Sequence, residues 1–307
     1  MTRTGFELVA QDHPRLARMR TIFAEQYRFS RDIVDRAIAA FGGSWADEAE
    51  ETLRVLFSDD EGLNAAIRGY SVFALDSMRR QARFEKTLAY PSKTYAEAAS
   101  EVYFNDAHMM GVYLPGLLLS HFLWPHHYRQ LEFFDAAFVR PMKAAGGARF
   151  VEVGVGTGLY SRRLLQALPA ATGYGLDISP SSQEYANRHV AAFGLQDRYQ
   201  VHLRDVAEEA DASAPWLLCV EVLEHLEDPV AFLKLLRRTL APGGRAFITA
   251  ALDAANADHI YLYRTSEEVQ VHLQAAGFAL EQAFLGAAYK PAQAGAPVPL
   301  AAAFVVI

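Results

Sequence analysis

The stretch Phe150-Val151-Glu152-Val153-Gly154-Val155-Gly156-Thr157-Gly158 decides the fold of this 307-residue chain. Apart from Glu152, its first residues have the apolar character of a buried strand, and three alternate glycines follow directly. Glycine lets a backbone approach a ligand without a Cβ in the way, and the next segment, 160–168, has the pattern of a helix whose first amides are free. The stretch therefore predicts a strand–loop–helix unit that binds a ligand.

The spacing of these glycines argues against two kinds of phosphate-binding loop. The dinucleotide fingerprint needs glycine at its sixth position, which Leu159 occupies here. The Walker loop ends in Gly-Lys-Ser/Thr, whereas Leu159 and Tyr160 follow Gly158. A Gly-x-Gly-x-Gly loop suits a ligand that carries no pyrophosphate.

From Phe150 onward, short apolar runs alternate with amphipathic stretches, which predicts a parallel sheet covered on both faces. We expect an α/β fold with a doubly wound, mostly parallel seven-stranded sheet, closed by a hairpin of 278–285 and 301–307. The Ala/Pro/Gly-rich segment 286–299 between them reads as a flexible surface loop. The predicted strands are 150–153, 173–176, 199–203, 216–220 and 244–250, and the predicted helices are 160–168, 182–193, 229–240 and 265–276.

The first part of the chain has helical periodicity almost throughout, beginning with Leu16, Met19, Ile22 and Phe23. We therefore divide the chain into an all-helical region, 1–140, and a core, 141–307. The helical region is expected to cover the site and to shape the choice of substrate.

Composition excludes several classes of protein. The net charge is −7, so a nucleic acid is not an expected partner. Cys219 is the only cysteine, which excludes an intrachain disulfide and fits a reducing compartment. The most apolar run, 112–124, is too short to span a membrane. The N-terminus lacks the apolar stretch of a secretion signal, and we expect a cytoplasmic protein without a membrane partner.

Acidic residues follow two successive predicted strands. Asp177 lies about 20 residues beyond the glycine loop, where an acid meets ribose hydroxyls in sheets of this kind. Asp205 ends the third predicted strand in the same way. Because the carboxyl ends of parallel strands meet at one edge, both acids are expected beside the glycine loop.

At this point the sequence resembles the class I S-adenosylmethionine-dependent methyltransferases, over roughly 150–277. Stretch 151–158 looks like the family's first motif, 175–179 like the second and 204–206 like the third. Stretch 221–229 looks like the fourth motif and resembles the ubiquinone-biosynthesis O-methyltransferases, while 240–244 is similar to the turn before the fifth strand. Pro215-Trp216 departs from the family, which usually has an acidic residue at the start of the fourth strand.

The resemblance implies S-adenosylmethionine as cofactor and assigns its contacts. Glu152 and the glycines would hold the amino-acid end, and Asp177 the ribose, with Ile178 against the adenine. Asp205 would accept from the adenine amino group and Val206 would donate to the ring. The full set implied for the cofactor is Glu152, Gly154, Gly156, Thr157, Gly158, Asp177, Ile178, Asp205, Val206 and Glu221.

Two histidines are candidates for a general base that assists transfer to a hydroxyl or amine. His225 follows the fourth predicted strand and His259 the fifth, so both are expected at the edge that holds the cofactor. A divalent metal is a further possibility that we do not favour. If the segment is helical, Glu221, Glu224 and His225 share one face, and this Glu-x-x-Glu-His pattern is similar to that of metal-assisted methyltransferases.

Aromatic and imidazole side chains are dense just before the core, and one or two of them are expected to face a substrate. The candidates for substrate contact are Tyr103, His121, Tyr128, Tyr261 and Tyr263. We expect in-line transfer of a methyl group to a small-molecule acceptor, a specialised metabolite, through oxygen, nitrogen or carbon. The helical region also allows a homodimer.

Two other functions remain open on the sequence alone. A nucleotide-dependent oxidoreductase on a similar sheet explains Asp177 but gives no role to the Glu-His motif and conflicts with Leu159. A cofactor-binding pseudoenzyme explains the fold without catalysis, although no residue needed to bind the cofactor is missing.

Overall fold

A computed structural model describes residues 6–211, 214–291 and 295–307. Helices occupy the chain up to Ala144, and strands alternate with helices from Arg149 onward. The helices are α1 (Pro14–Gln26), α2 (Ile33–Phe41), α3 (Gly43–Leu56), α4 (Asp60–Thr87), α5 (Tyr95–Glu101), α6 (Asp106–His108), α7 (Leu114–Leu123), α8 (Pro125–Phe134), α9 (Arg140–Ala144), α10 (Leu159–Ala167), α11 (Pro180–Ala192), α12 (Pro229–Thr239) and α13 (Ser266–Ala275). Among the described residues, no helix is both long and apolar enough to cross a membrane.

Seven strands form one sheet in the order β3-β2-β1-β4-β5-β7-β6. The first five strands run parallel, and β7 is antiparallel to both of its neighbours. The predicted doubly wound, mostly parallel sheet with a preceding helical region is therefore confirmed. The strands are β1 (Arg149–Val153), β2 (Thr172–Asp177), β3 (Tyr199–Leu203), β4 (Ala214–Cys219), β5 (Leu240–Leu252), β6 (Leu280–Ala287) and β7 (Leu300–Val306).

The strand order reverses between β1 and β4, which is where sheets of this kind bind ligands. Parallel pairing places the carboxyl ends of β1 to β5 at a single edge. The glycine loop, Asp177, Asp205 and the fourth motif all follow those ends. The topology alone thus gathers the segments that the sequence analysis singled out.

Two predicted boundaries need correction near the end of the chain. Strand β5 begins at Leu240 rather than at 244, because Leu240 already pairs with Ala214 before a register shift. The predicted loop 286–299 is shorter than expected, since β6 runs to Ala287. Residues 292–294 of that loop lie outside the described residues.

The helical region packs directly on the core. The indole N–H of Trp45, on α3, donates to the Phe122 carbonyl at 2.9 Å inside the helical region. Arg163, on α10 of the core, pairs with Asp135 at 2.7 Å and with Glu48 of α3. These mostly buried ion pairs fix one face of the helices against the sheet layer.

Candidate active site

The glycine loop lies between β1 and α10, and its backbone has left-handed geometry. Gly154 has φ +72°, and a Cβ there would lie 2.4 Å from Cγ2 of Val222 in the fourth motif. Real Cβ contacts are not that short, so only glycine lets these two segments approach. Gly154, Gly156 and Thr157 line a cavity, whereas Gly158 does not.

Gly158 has a structural role beside the cavity. It is the N-terminal cap of α10, with φ +77°, and a Cβ there would lie 3.1 Å from Cβ of Ala186 on α11. This glycine is needed for the turn and for helix packing, and its contact with the cofactor stays a prediction.

Asp177, at the end of β2, is held by backbone amides. Its carboxylate accepts from the N–H of Gly156 at 3.1 Å and from the N–H of Ser179 at 2.9 Å. Burial raises the pKa of Asp177, and these amide hydrogen bonds oppose that rise. A carboxylate has about four acceptor positions, so Asp177 retains capacity for ribose hydroxyls.

Glu152 is 1% exposed, inside β1, and it lines the same cavity. One carboxylate oxygen accepts from the hydroxyl of Tyr199 at 3.0 Å and from that of Ser161. Burial raises the pKa of Glu152 from 4.5 to about 7, against the effect of both hydroxyls. Its charge at neutral pH therefore depends on what occupies the cavity.

The residues implied for the adenine end also line the cavity. Ile178 is 39% exposed, an unusual position for an isoleucine, and Val206 is buried. Asp205 accepts from the N–H of Ala207 at 2.8 Å and so caps the short 3₁₀ turn Val206–Glu208. An exposed apolar side chain beside a capped turn provides a surface on which a flat ring can pack.

The fourth motif is not the α-helix that the metal hypothesis assumed. Glu221 has φ +53°, and only Leu223–His225 form a 3₁₀ turn. The Glu221 N–H donates to Oγ1 of Thr249 at 2.8 Å, and that hydroxyl donates to the Glu221 carboxylate at 2.6 Å. Thr249, on β5, thus holds Glu221 in place through both hydrogen bonds. Because the segment is not an α-helix, Glu221, Glu224 and His225 do not share a helical face.

Glu224 is fully buried, and within the described part of the chain neither of its carboxylate oxygens has a hydrogen-bond partner. Burial, followed by the charge of Glu221, raises the pKa of Glu224 well above its usual range. A buried carboxyl group without a partner is costly, which indicates that it meets a cation or an added proton.

His225 and His259 lie together, with ring centroids 4.9 Å apart. Nδ1 of His225 donates to the Asp258 carbonyl at 3.1 Å, and Nδ1 of His259 donates to the Ala254 carbonyl at 2.7 Å. Each ring is therefore fixed through Nδ1, which leaves Nε2 as the nitrogen available to a ligand. Burial, followed by the charge of His225, lowers the pKa of His259 to about 4.

Asp258 joins this histidine pair to the helical region. Its carboxylate is fully buried and accepts from the hydroxyl of Tyr113 at 2.8 Å and from that of Tyr103 at 3.0 Å. Burial alone would raise the pKa of Asp258, but His225, His259 and the two hydroxyls outweigh it and hold the pKa below its usual value. Sequence reasoning missed Asp258, because the two tyrosines that donate to it lie about 150 residues earlier in the chain.

One group among the described residues is arranged to hold a metal ion. Glu224, His225 and His259 each offer one ligand atom, and the three atoms lie within 4.8 Å of one another. Glu221, which the sequence analysis included, is outside this group, and His259 takes its place. Imidazoles anchored through Nδ1, beside an unpartnered carboxyl group, suit a divalent cation.

Three of the predicted substrate contacts, Tyr128, Tyr261 and Tyr263, do not line the cavity. Tyr128 packs on Phe41, and its hydroxyl donates to Glu48. Tyr263 is fully buried, and both Tyr263 and Tyr261 pack on His272 of α13. Tyr103 and His121 do line the cavity.

The cavity that connects these residues has a volume of about 1160 Å³. It runs from the glycine loop, past Glu224 and the two histidines, to one face of α4. A pocket for one drug-sized ligand occupies roughly 300–1,000 Å³. There is therefore room for a cofactor and a second molecule side by side.

Known proteins match the core of the chain. Residues 151–246 match the family model described as "Methyltransferase domain". The ubiquinone biosynthesis O-methyltransferase of Xanthomonas euvesicatoria pv. vesicatoria (strain 85-10) is 34% identical over 104 residues, which are 34% of this chain and 43% of that protein. The enzyme of the same name from Xylella fastidiosa (strain 9a5c) is 35% identical over 104 residues, 34% of this chain and 42% of that protein. The chain thus spans less than half the length of these curated relatives.

A solved structure extends the likeness to the helical region. The mitomycin 7-O-methyltransferase MmcR matches with a TM-score of 0.52 at 16% identity, over 91% of this chain and 76% of that chain. At this identity the match shows the fold alone. The prediction of S-adenosylmethionine as the family's cofactor is confirmed by the domain match and the curated relatives. Residues 151–246 are therefore a methyltransferase domain, and in this part the chain is similar to class I S-adenosylmethionine-dependent methyltransferases.

Proposed function

We propose that this protein transfers the methyl group of S-adenosylmethionine to a small-molecule acceptor, a specialised metabolite, by in-line displacement. One observation carries the proposal: the motif residues and the face of α4 line the same cavity, with two histidines between them. The cofactor supplies a methyl group that its sulfonium charge has already activated. The protein's task is therefore mainly to position an acceptor.

Its own residues fit that task. Gly154, Gly156 and Thr157 leave backbone free to contact the amino-acid end, while Asp177 keeps acceptor positions open beside them. The helices close over the edge of the sheet through the contacts of Tyr103 and Tyr113 with Asp258. This closure excludes bulk water, which favours transfer to the acceptor.

The histidine pair supports the removal of a proton when the acceptor is a hydroxyl or an amine. The Asp258 and Ala254 carbonyls fix the two Nδ1 atoms, so each Nε2 can accept a proton. We assign this role to His225 or His259. The assignment requires that replacing both with Gln slows transfer while cofactor binding persists.

Transfer is tested by incubating the protein with S-adenosylmethionine labelled in its methyl group and a panel of phenols, amines and carbon acids. Label in an extractable product supports the proposal, and His225→Gln/His259→Gln should lose most of it. If the protein binds the cofactor tightly but transfers label to none of these acceptor classes, a pseudoenzyme is favoured instead.

Metal assistance is a second candidate, which the unpartnered carboxyl group of Glu224 favours. Glu224, His225 and His259 would hold a divalent ion, which would orient neighbouring hydroxyls of an acceptor. Titration with Mg²⁺, Mn²⁺ and Zn²⁺ by calorimetry tests it, with Glu224→Gln as the variant and Glu208→Gln as an exposed control. Absence of binding to the chelator-treated protein, with unchanged turnover, would remove this candidate.

A further inference from the structure

One helix lines the cavity away from the cofactor motifs. Tyr70, Phe73, Ala74, Ser77, Met78 and Gln81 of α4 recur every three or four residues and all line the cavity. We call this surface the α4 arm. With Glu85, which continues the same face, it extends about 22 Å along the helix at about 1.5 Å per residue. An arm of this length holds a molecule larger than one ring.

The inner end of the α4 arm is built from aromatic rings that lie nearly parallel. Phe73 stacks on Trp124 at 5.8 Å and 23°, and Trp124 stacks on His126 at 5.9 Å and 11°. The indole N–H of Trp124 donates to the hydroxyl of Tyr70 at 2.8 Å, which fixes its plane. Stacked, fixed rings favour a flat π system as a neighbour.

Close packing behind Phe73 keeps its ring in this place. A Cβ on Gly116 of α7 would lie 2.5 Å from Cβ of Phe73, so the two helices meet without a side chain between them. The Phe73 ring itself also lies against Gly116, since its Cγ would be 2.6 Å from the same Cβ, and this contact with α7 holds the ring in one position. The arm is preformed, which lowers the entropy cost of binding.

Charge is nearly absent from the middle of the arm. Burial lowers the pKa of His121 to about 4 and of His126 to about 3, and lowers that of His127 well below its usual value. These imidazoles are neutral at physiological pH. The charged lining residues of this part, Arg36 and Glu85, are exposed, and Glu85 already accepts from the hydroxyl of Tyr289 at 2.7 Å.

We infer that the α4 arm binds the methyl acceptor and that this acceptor is an uncharged, flat molecule of two or more conjugated rings. The inference rests on the proposed function, because it places the acceptor beside the cofactor. In the middle of the arm, between the exposed Arg36 and Glu85, a charged ligand would lose its hydration without gaining a charged partner. A single ring would leave most of the stacked surface uncovered.

Binding of a graded series tests the inference, measured by calorimetry with the full chain saturated with S-adenosylhomocysteine. Catechol, esculetin and luteolin have one, two and three rings, each carries one pair of adjacent aromatic hydroxyls, and none carries a carboxylate or an ammonium group. We expect the Kd to fall at least about tenfold from catechol to luteolin. Caffeic acid and dopamine carry a negative and a positive charge on a catechol ring, and both should bind at least about tenfold more weakly than esculetin.

Two variants locate the binding to the arm. Ala74→Phe fills the arm and should raise the Kd of luteolin at least about tenfold, while the Kd of S-adenosylhomocysteine stays unchanged. Val72→Phe is the matched control, because Val72 lies on the same helix but is 49% exposed and outside the cavity. If Ala74→Phe does not fold, Phe73→Leu keeps an apolar side chain and should weaken luteolin by roughly two- to tenfold, the range for a lost aromatic pair.

The outcomes separate this inference from the proposed function. Any one of three results would overturn the inference and leave the proposed function standing. The first is a Kd that does not fall with ring number, and the second is tighter binding of caffeic acid or dopamine than of esculetin. The third is an equal effect of Ala74→Phe and Val72→Phe on the Kd of luteolin. Failure to bind S-adenosylhomocysteine would instead overturn the proposed function.

Discussion

Glu152 makes both the stability and the cofactor affinity of this protein depend on pH in a direction that the structure specifies. The carboxyl group is buried inside β1, accepts from Tyr199 and Ser161, and has a pKa of about 7. The change to make is Glu152→Gln, which keeps the shape of the side chain and removes the titration.

The effect on stability follows from the difference between folded and unfolded pKa values. A rise from 4.5 to about 7 corresponds to about 3 kcal/mol, at about 1.36 kcal/mol per pKa unit. Between these values the folded state binds more protons than the unfolded state. The contribution of Glu152 to the free energy of unfolding is therefore fully present below about pH 4.5 and falls as pH rises through about 7.

Cofactor binding should change with pH in the opposite sense. The ammonium at the amino-acid end of S-adenosylhomocysteine favours the ionised form of Glu152, so binding lowers its pKa and releases a proton. At pH 7 about half of the Glu152 groups are protonated, and binding should release about half a proton. The affinity should rise between about pH 6 and pH 8, across the same pKa.

Calorimetry in two buffers of different ionisation enthalpy measures the released proton, and urea unfolding across the pH range measures the stability. Glu152→Gln should abolish the proton release and remove the decrease in the free energy of unfolding that the titration of Glu152 causes as pH rises. Glu208→Gln, an exposed substitution at the same edge of the sheet, should change neither. Equal proton release by the wild type and Glu152→Gln would refute the reasoning.

Two further predictions concern the loop and the link to the helices. Gly154→Ala should lower the free energy of unfolding by about 2–4 kcal/mol, because it adds a clash with Val222 to the strain of a left-handed backbone. Gly194 also has a left-handed backbone, with φ +70°, but open space around it, so Gly194→Ala should cost only about 1–2 kcal/mol. Adding Val222→Ala to Gly154→Ala should recover the difference in urea unfolding, and no recovery would contradict the clash. Tyr113→Phe removes a hydrogen bond to the buried, charged Asp258 and should lower the free energy of unfolding by about 1.5–3 kcal/mol in the same measurement. A decrease below about 0.5 kcal/mol would contradict an ionised Asp258.

Local chemistry made the cofactor half of the site predictable. The glycine loop, Asp177 and Asp205 each follow a strand directly. Parallel strands have their carboxyl ends at the same edge of the sheet, independently of the rest of the chain. The same logic brought His225 and His259 together, although their roles stay predictions. The pattern did not reveal that Gly158 is needed for packing, because a glycine needed for packing has the same pattern as one that contacts a ligand.

The acceptor half was less predictable, because it depends on which face each helix and loop turns toward the cavity. Tyr128, Tyr261 and Tyr263 are close in sequence to lining residues, yet none of them lines the cavity, and Tyr128 and Tyr263 are buried. The face of α4 shows the opposite case. Its spacing at Tyr70, Phe73 and Ala74 is that of any buried helix face, and only the fold shows that a cavity lies in front of it.

The central claim is that the cavity binds S-adenosylmethionine and not a nicotinamide dinucleotide. Titration of the full chain with S-adenosylhomocysteine by calorimetry, with NAD as a parallel control, tests it most directly. We predict a single site of micromolar affinity for S-adenosylhomocysteine and no heat of binding for NAD. Binding of NAD alone would contradict the account and favour the nucleotide-dependent oxidoreductase instead.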